Sequence, residues 1–234
     1  MMRIALLLSG QVRCNDSSAS LHQHIINKYD VDVYCQYWHD GDDHEHHHEL
    51  TSLYAPEAIR SDAAVFNTPD YCAKHHAALH QNHVVRSCKG RYGYPYHHLF
   101  SQLLGLQHVS NMFNWADYDF IIRARYDKIN IINFPDLHQL STQHFYAGNR
   151  HPAYDGVADY FMDLIFIMPN MMQSYCHAFD LMHQADVSNR MYTWSKSYAD
   201  YFFPEYVFAY LLQELNFKER YIKLPSDQFL IAPA

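Results

Sequence analysis

At 234 residues, with 49% hydrophobic and 18% charged side chains, 20 Tyr and 14 Phe, the chain has the make-up of a folded domain and not of a disordered one. A formal charge of −8 argues against a broad nucleic-acid surface, although a local arginine cluster can still grip one small anion. No apolar run approaches the roughly 18 residues of a membrane span, and Ile4 to Leu8 is too short for a signal-peptide core, so the expectation is a soluble, cytoplasmic protein with one domain over residues 1–234.

MRIALLLSG at the start is continuously apolar and ends in a glycine, the pattern of an inner strand of a parallel sheet. Asp16, Ser17 and Ser18 offer N-caps to a helix through SLHQHIINKY, and VDVYCQYW returns as a second strand, giving a β-α-β opening. Residues 39–49, HDGDDHEHHHE, read as a polar loop, followed by a short helix and a third strand around Ala63 to Phe66. Leu99, Leu103, Leu106, Val109 and Phe113 recur at intervals of three and four, predicting an amphipathic helix from Tyr96 to Phe113. That helix leads into YDFIIRARYD, where Phe120 to Ile122 form a buried strand core and period two sends Arg123, Arg125 and Asp127 to one side. Further strands are expected near His144 to Ala147 and Leu164 to Met168, with a helix from Pro169 or Asn170 to about His183 and a last helix from Pro204 through Leu215. Alternation of this kind predicts an α/β fold with a mostly parallel central sheet flanked by helices.

In open sheets of that class ligands bind at the carboxyl ends of the strands, and both SGQVR and RARYD are expected there. Neither carries GxGxxG or a P-loop, which counts against a Rossmann dinucleotide site and a Walker-type nucleotidase. Ser9, Gly10, Gln11 and Arg13 in the first loop, with Arg123 and Arg125, have the donors that a nucleotide's phosphates or base require. The alternative for the Arg-Asp cluster is a structural ion pair. Ser101 and Gln102 either face the same ligand or are ordinary helix-surface residues. Tyr92, Tyr94, Tyr96, Trp115 and Trp194 are able to stack on a base or sugar ring, and are as readily core. The five scattered cysteines form no CxxC pair and are expected to be reduced, mostly buried thiols. The histidine tract has donors for zinc, nickel or copper but no ordered spacing such as HExxH, so surface metal binding is its plainer reading.

Four segments together resemble the bacterial and viral GT-A-like glycosyltransferases that build surface polysaccharides: MRIALLLSGQVR, YDFIIRARYD with the helix before it, DLIFIMPNMM from Asp163, and PEYVFAYLL from Pro204. They cover about 50 residues in family order. The resemblance implies a GT-A-like domain, a nucleotide-sugar donor such as a UDP- or GDP-sugar, and a glycan acceptor. It implies a divalent cation, Mn2+ or Mg2+, met together with the diphosphate by Asp127, which stands where the family has its DxD motif. Here Arg125 replaces the first acid of that motif, so the segment points to diphosphate binding before it points to a metal. The resemblance further places Asp163 near the sugar and acceptor as a general base, with Asp159 as competitor, and Glu205 as a secondary site residue that helix capping explains equally well. The rival expectations are a nucleotide- or sugar-binding module without turnover and a histidine-rich metal-binding protein.

Overall fold

Five consecutive residues, Ile4 to Leu8, are wholly shielded from solvent in the computed structural model, which describes residues 2–12, 17–39, 44–63, 96–126, 129–149, 164–182, 184, 186–187, 190, 193 and 204–232. They are the middle of strand β1 (Arg3–Gln11), and a strand buried on both faces has no polar side to alternate with its apolar one. Burial of each large aliphatic side chain contributes about 1.5–3 kcal/mol relative to leaving it in water. β1 pairs in parallel with β2 (Asp30–His39) on one side and β4 (Phe120–Ala124) on the other, and β2 pairs in parallel with β3 (Ala58–Ala63).

Beyond β4 lies β7 (Ile165–Pro169), antiparallel to its neighbours, then β6 (Phe145–Ala147) and β8 (Tyr221–Lys223), completing a seven-stranded sheet in the order β3-β2-β1-β4-β7-β6-β8. Among the described strands of this sheet only β7 runs against the others, so the α/β class with a mostly parallel central sheet is as the sequence indicates. A separate two-stranded ladder joins β5 (Asn130–Asn133) to β9 (Leu230–Ala232).

Two cores flank the sheet. On one face Ala5, Leu7, Ile121 and Phe166 meet α3 (Tyr96–Ser110), α4 (Gln173–Cys176), α5 (Ala178–Met182) and α6 (Pro204–Glu214), with Leu103, Leu106, Val109 and Phe208 fully or almost fully buried. On the other, Ile4, Leu6, Leu8 and Ile122 meet the helix α1 (Ser18–Leu21), continued by a π-helical turn over His22–Ile26, together with α2 (His44–Tyr54) and the β5–β9 ladder. The three-and-four spacing that predicts the helix from Tyr96 thus describes α3 correctly, although α3 stops at Ser110 and Phe113 packs from the turn beyond it.

Several boundaries differ from expectation. The histidine tract is helical from His44, where α2 begins, because Leu50 and Tyr54 anchor that helix to the core and Glu45 sits favourably in its first turn; His39 ends β2, and residues 40–43 lie outside the described residues. The third strand is Ala58–Ala63, earlier than Ala63 to Phe66, and residues 64–95 lie outside the described residues. The helix expected after Pro169 is divided into a 3-10 turn (Asn170–Met172), α4 and α5. Cys35 and Cys176 are free, buried thiols, and Cys14, Cys72 and Cys88 lie outside the described residues. Among the described residues no helix is long and apolar enough to cross a membrane.

Two glycines mark close approaches. At Gly105 an added Cβ would stand 2.5 Å from Gln36 Oε1, so the missing side chain lets α3 press onto β2. At Gly148, just past β6, it would meet the Phe229 ring at 2.6 Å and the Phe229 carbonyl at 2.7 Å. The ring is fully buried and the carbonyl is backbone, so neither yields cheaply. Gly148→Ala is therefore expected to destabilise the fold by about 1–3 kcal/mol, measured by urea unfolding; an unchanged midpoint would refute this account of the contact.

Candidate functional site

The carboxyl ends of β1 and β4 lie side by side, in register through Leu8 and Ala124. This brings the SGQ and RAR segments to one sheet edge, as ligand-binding loops of an open α/β sheet require. Ser9 is fully buried next to Gln36 of β2, and its Oγ has no hydrogen-bond partner among the described residues. Gly10 follows with φ +133°, a backbone conformation that glycine alone adopts without strain, although an added Cβ there would meet nothing within 4 Å. The constraint at Gly10 is thus the backbone. Gln11 is exposed, and Arg13 lies outside the described residues.

Tyr126 fastens this edge. Its buried hydroxyl lies 3.0 Å from the carbonyl oxygen of Leu8 and 2.9 Å from that of Gln36, donating where β1 and β2 run together. Burial drives the Tyr126 pKa well above its ordinary value, with the neighbouring Cys35 adding to the shift, so the phenol stays protonated and keeps its donor. Two residues past Asp127, the Ile129 amide donates to Ser17 Oγ at 3.1 Å. Ser17 heads α1 as expected, but its hydroxyl serves this tertiary bond and makes no side-chain cap. Asp127 itself lies outside the described residues.

The two arginines have different settings. Arg125, half-buried beyond the end of β4, donates its amide to Leu164 O at 3.0 Å, so the chain directly after Asp163 runs alongside it. Arg123 is fully buried, with its guanidinium 5.6 Å from the centre of the Phe166 ring and 5.7 Å from that of Phe208. Its Nη2 donates to Gln102 Oε1 at 3.4 Å, and it has a further interaction besides these. Burial pushes the Tyr175 hydroxyl and the Cys176 thiol upward in pKa, and the Arg123 charge works against both shifts. Arg123 therefore places positive charge beneath the edge, in the core, while Arg125 stands at its rim. Gln102 turns toward Arg123 and in that geometry is a support for it.

A polar hub at the ends of β2 and β3 has no counterpart in the expectations from sequence. Asp62 accepts from Arg60 Nε at 2.9 Å and Nη2 at 2.7 Å, meets His108 Nδ1 at 2.9 Å, and accepts from Gln36 Nε2 at 3.2 Å. Burial would raise the Asp62 pKa, but the bonds from Arg60, His108 and Gln36 outweigh it and hold the carboxyl below its ordinary range. The available signal was the alternation of Arg60 and Asp62 in β3, which a strand placed too late concealed. Trp115, a candidate stacking residue, is core, its indole donating to Ser110 O at 2.9 Å. Tyr92, Tyr94, Trp194, Asp159 and Asp163 lie outside the described residues, as do the side chains of Tyr96 and Glu205, whose backbones belong to α3 and α6. Among the described residues no group of three or more His, Cys, Asp and Glu is placed to hold a metal ion.

No protein-family model and no curated protein matches the chain. Among the solved structures that align with the chain are glycosyltransferases. Mouse xyloside xylosyltransferase 1 aligns with TM-score 0.47 at 7% identity, over 97% of this chain and 86% of that one. The glycosyltransferase GlyE of Streptococcus pneumoniae aligns with TM-score 0.45 at 12% identity, over 97% of this chain but 46% of its own, so the chain spans about half of that enzyme. The galactosyltransferase LgtC, solved with donor and acceptor sugar analogues, aligns with TM-score 0.44 at 10% identity, over 95% of this chain and 73% of its own.

The hub has a definite pH signature. A folded-state pKa below the unfolded one contributes stability that is present above the ordinary carboxylate pKa and is lost as pH falls through the folded value. Asp62→Asn is expected to cost about 1–3 kcal/mol at pH 7, with the gap to wild type closing as pH drops below about 4. A gap independent of pH, followed by urea unfolding across that range, would count against the hub as described.

Proposed function

We propose that this chain is a glycosyltransferase, moving a sugar from a nucleotide-diphosphate donor, UDP- or GDP-linked, to a glycan acceptor. The observation that carries the reading is the shared edge of β1 and β4, where Gly10 in a positive-φ backbone, a buried hydroxyl without a described partner and the chain at Arg125 come together. The residues gathered there are the ones that the sequence resemblance assigns to nucleotide binding. A departing nucleoside diphosphate gathers negative charge, and donors fixed in advance at that position lower the barrier without reorganising.

In this reading the Gly10 backbone, Ser9, Gln11, Arg13 and Arg125 hold the diphosphate and base, and Arg123 supplies a fixed positive field from beneath. Asp163 takes the acceptor's proton as general base, with Glu205 on the acceptor side. The described donors at the edge are hydroxyl, amide and guanidinium groups, which suit an anion; a divalent cation, Mn2+ or Mg2+, would rest on Asp127 and on the diphosphate oxygens. Such a cation, when bound, neutralises charge on the leaving diphosphate.

The test is a thermal-unfolding series with UDP, GDP, CDP and dTDP, with and without manganese. One nucleotide is expected to stabilise the chain, by about 2.7 kcal/mol at 100 times its dissociation constant. Arg125→Ala should abolish most of that shift, Asp127→Ala only the part that manganese adds, and His46→Ala none of it. If no nucleotide moves the transition, the proposal fails. Sugar transfer from the stabilising nucleotide's sugar conjugate then separates an enzyme from a binding module.

A further inference from the structure

The opposite end of the sheet carries a cavity. β1 spans about 26 Å from Arg3 to Gln11 at the rise of an extended strand, and the cavity lies near its amino end, where α1 gives way to β2. It has a volume of about 350 Å³ and is open to solvent. That lies within the range of roughly 300–1,000 Å³ typical of small-ligand sites.

Its walls divide by chemistry. Tyr29, Phe134 and Pro135 supply apolar surface, and Lys28, His24, His138 and Asp136 supply polar atoms around it. The apolar part is fixed in place: Tyr29 Oη accepts from the Leu137 amide at 3.2 Å, and the Phe134 ring meets Phe229 edge-on at 5.3 Å. The Tyr29 and His138 rings lie with centres 5.8 Å apart, tilted by 50° to one another. Asp136 is held by the His138 amide at 3.1 Å and by Gln139 Nε2 at 3.3 Å, so its position does not depend on a ligand. Burial, and then Lys28, lower the pKa of His24, leaving a neutral ring with one donor and one acceptor near pH 7.

A ring-sized hollow with a fixed aromatic wall and interleaved donors and acceptors suits a ligand that is apolar on one face and hydroxylated around its rim. A purely apolar ligand would offer the Lys28 ammonium no acceptor, and a simple anion would face the Asp136 carboxylate and gain nothing from the aromatic wall. We infer that this cavity is a carbohydrate subsite that takes one pyranose unit of a glycan, remote from the edge where β1 meets β4. The inference rests on the cavity's own chemistry and stands whether or not the chain transfers sugars.

The experiment is saturation-transfer NMR on the full chain with the methyl pyranosides of glucose, galactose, mannose and N-acetylglucosamine. Each is repeated in the presence of saturating UDP and GDP. At least one pyranoside should receive saturation, and neither nucleotide should displace it. Lys28→Ala and His138→Ala alter exposed side chains, and each should weaken that pyranoside's binding about fivefold, the effect of losing one hydrogen bond. Absence of transfer to every pyranoside, displacement by a nucleotide, or binding unchanged in both variants would overturn the assignment. The transferase proposal fails on a different result, a missing nucleotide shift, so the two are judged separately.

Discussion

The site depends on one join: the parallel pairing of β1 with β4, closed at its carboxyl end by the Tyr126 hydroxyl on the carbonyls of Leu8 and Gln36. The two strands are more than a hundred residues apart in sequence, with α1, β2, α2, β3 and α3 between them among the described residues. Only when the apolar runs at Ile4–Leu8 and Phe120–Ala124 are buried together do Ser9, Gly10 and Arg125 share an edge. Hydrophobic burial therefore sets the register, and the buried phenol ties the polar ends to it.

Arg123 shows what that arrangement costs and gains. A guanidinium stays charged under all ordinary conditions, and enclosing it is expensive unless ring faces and acceptors replace the water it loses. Here Phe166, Phe208 and Gln102 surround it, each from a different element, so β7, α6 and α3 all converge on the same charge. A charge held this way cannot swing into solvent. It contributes a constant positive potential beneath the edge, which suits a site whose ligand is an anion.

Much of this was legible in the sequence because the signals were local. The unbroken apolar run of β1, the three-and-four spacing of α3 and the apolar core of β4 each specify their element without help from distant residues. The histidine tract reads as a loop because the residues that hold its helix to the core, Leu50 and Tyr54, lie past the polar stretch. The strand β3 lies earlier than the apolar pattern indicates because Arg60, Ser61 and Asp62 make it polar, and it does not read as an apolar strand. The Asp62 hub was invisible for the same reason: Gln36, Arg60 and His108 come from three elements, and nothing local to any one of them announces the others. The inward turn of Arg123 was likewise a matter of tertiary packing, since period two gives the side of a strand and not what covers it.

On the proposed function, the edge shared by β1 and β4 binds a nucleoside diphosphate. Backbone amide chemical shifts, followed while UDP and then GDP are titrated into the isotopically labelled chain, test it most directly. The account predicts that the largest changes fall on Ser9, Gly10, Gln11, Arg125 and Tyr126, with Leu164 beside them. Changes centred on the histidine-rich start of α2 or at the amino end of the sheet, with those six amides unmoved, would contradict it.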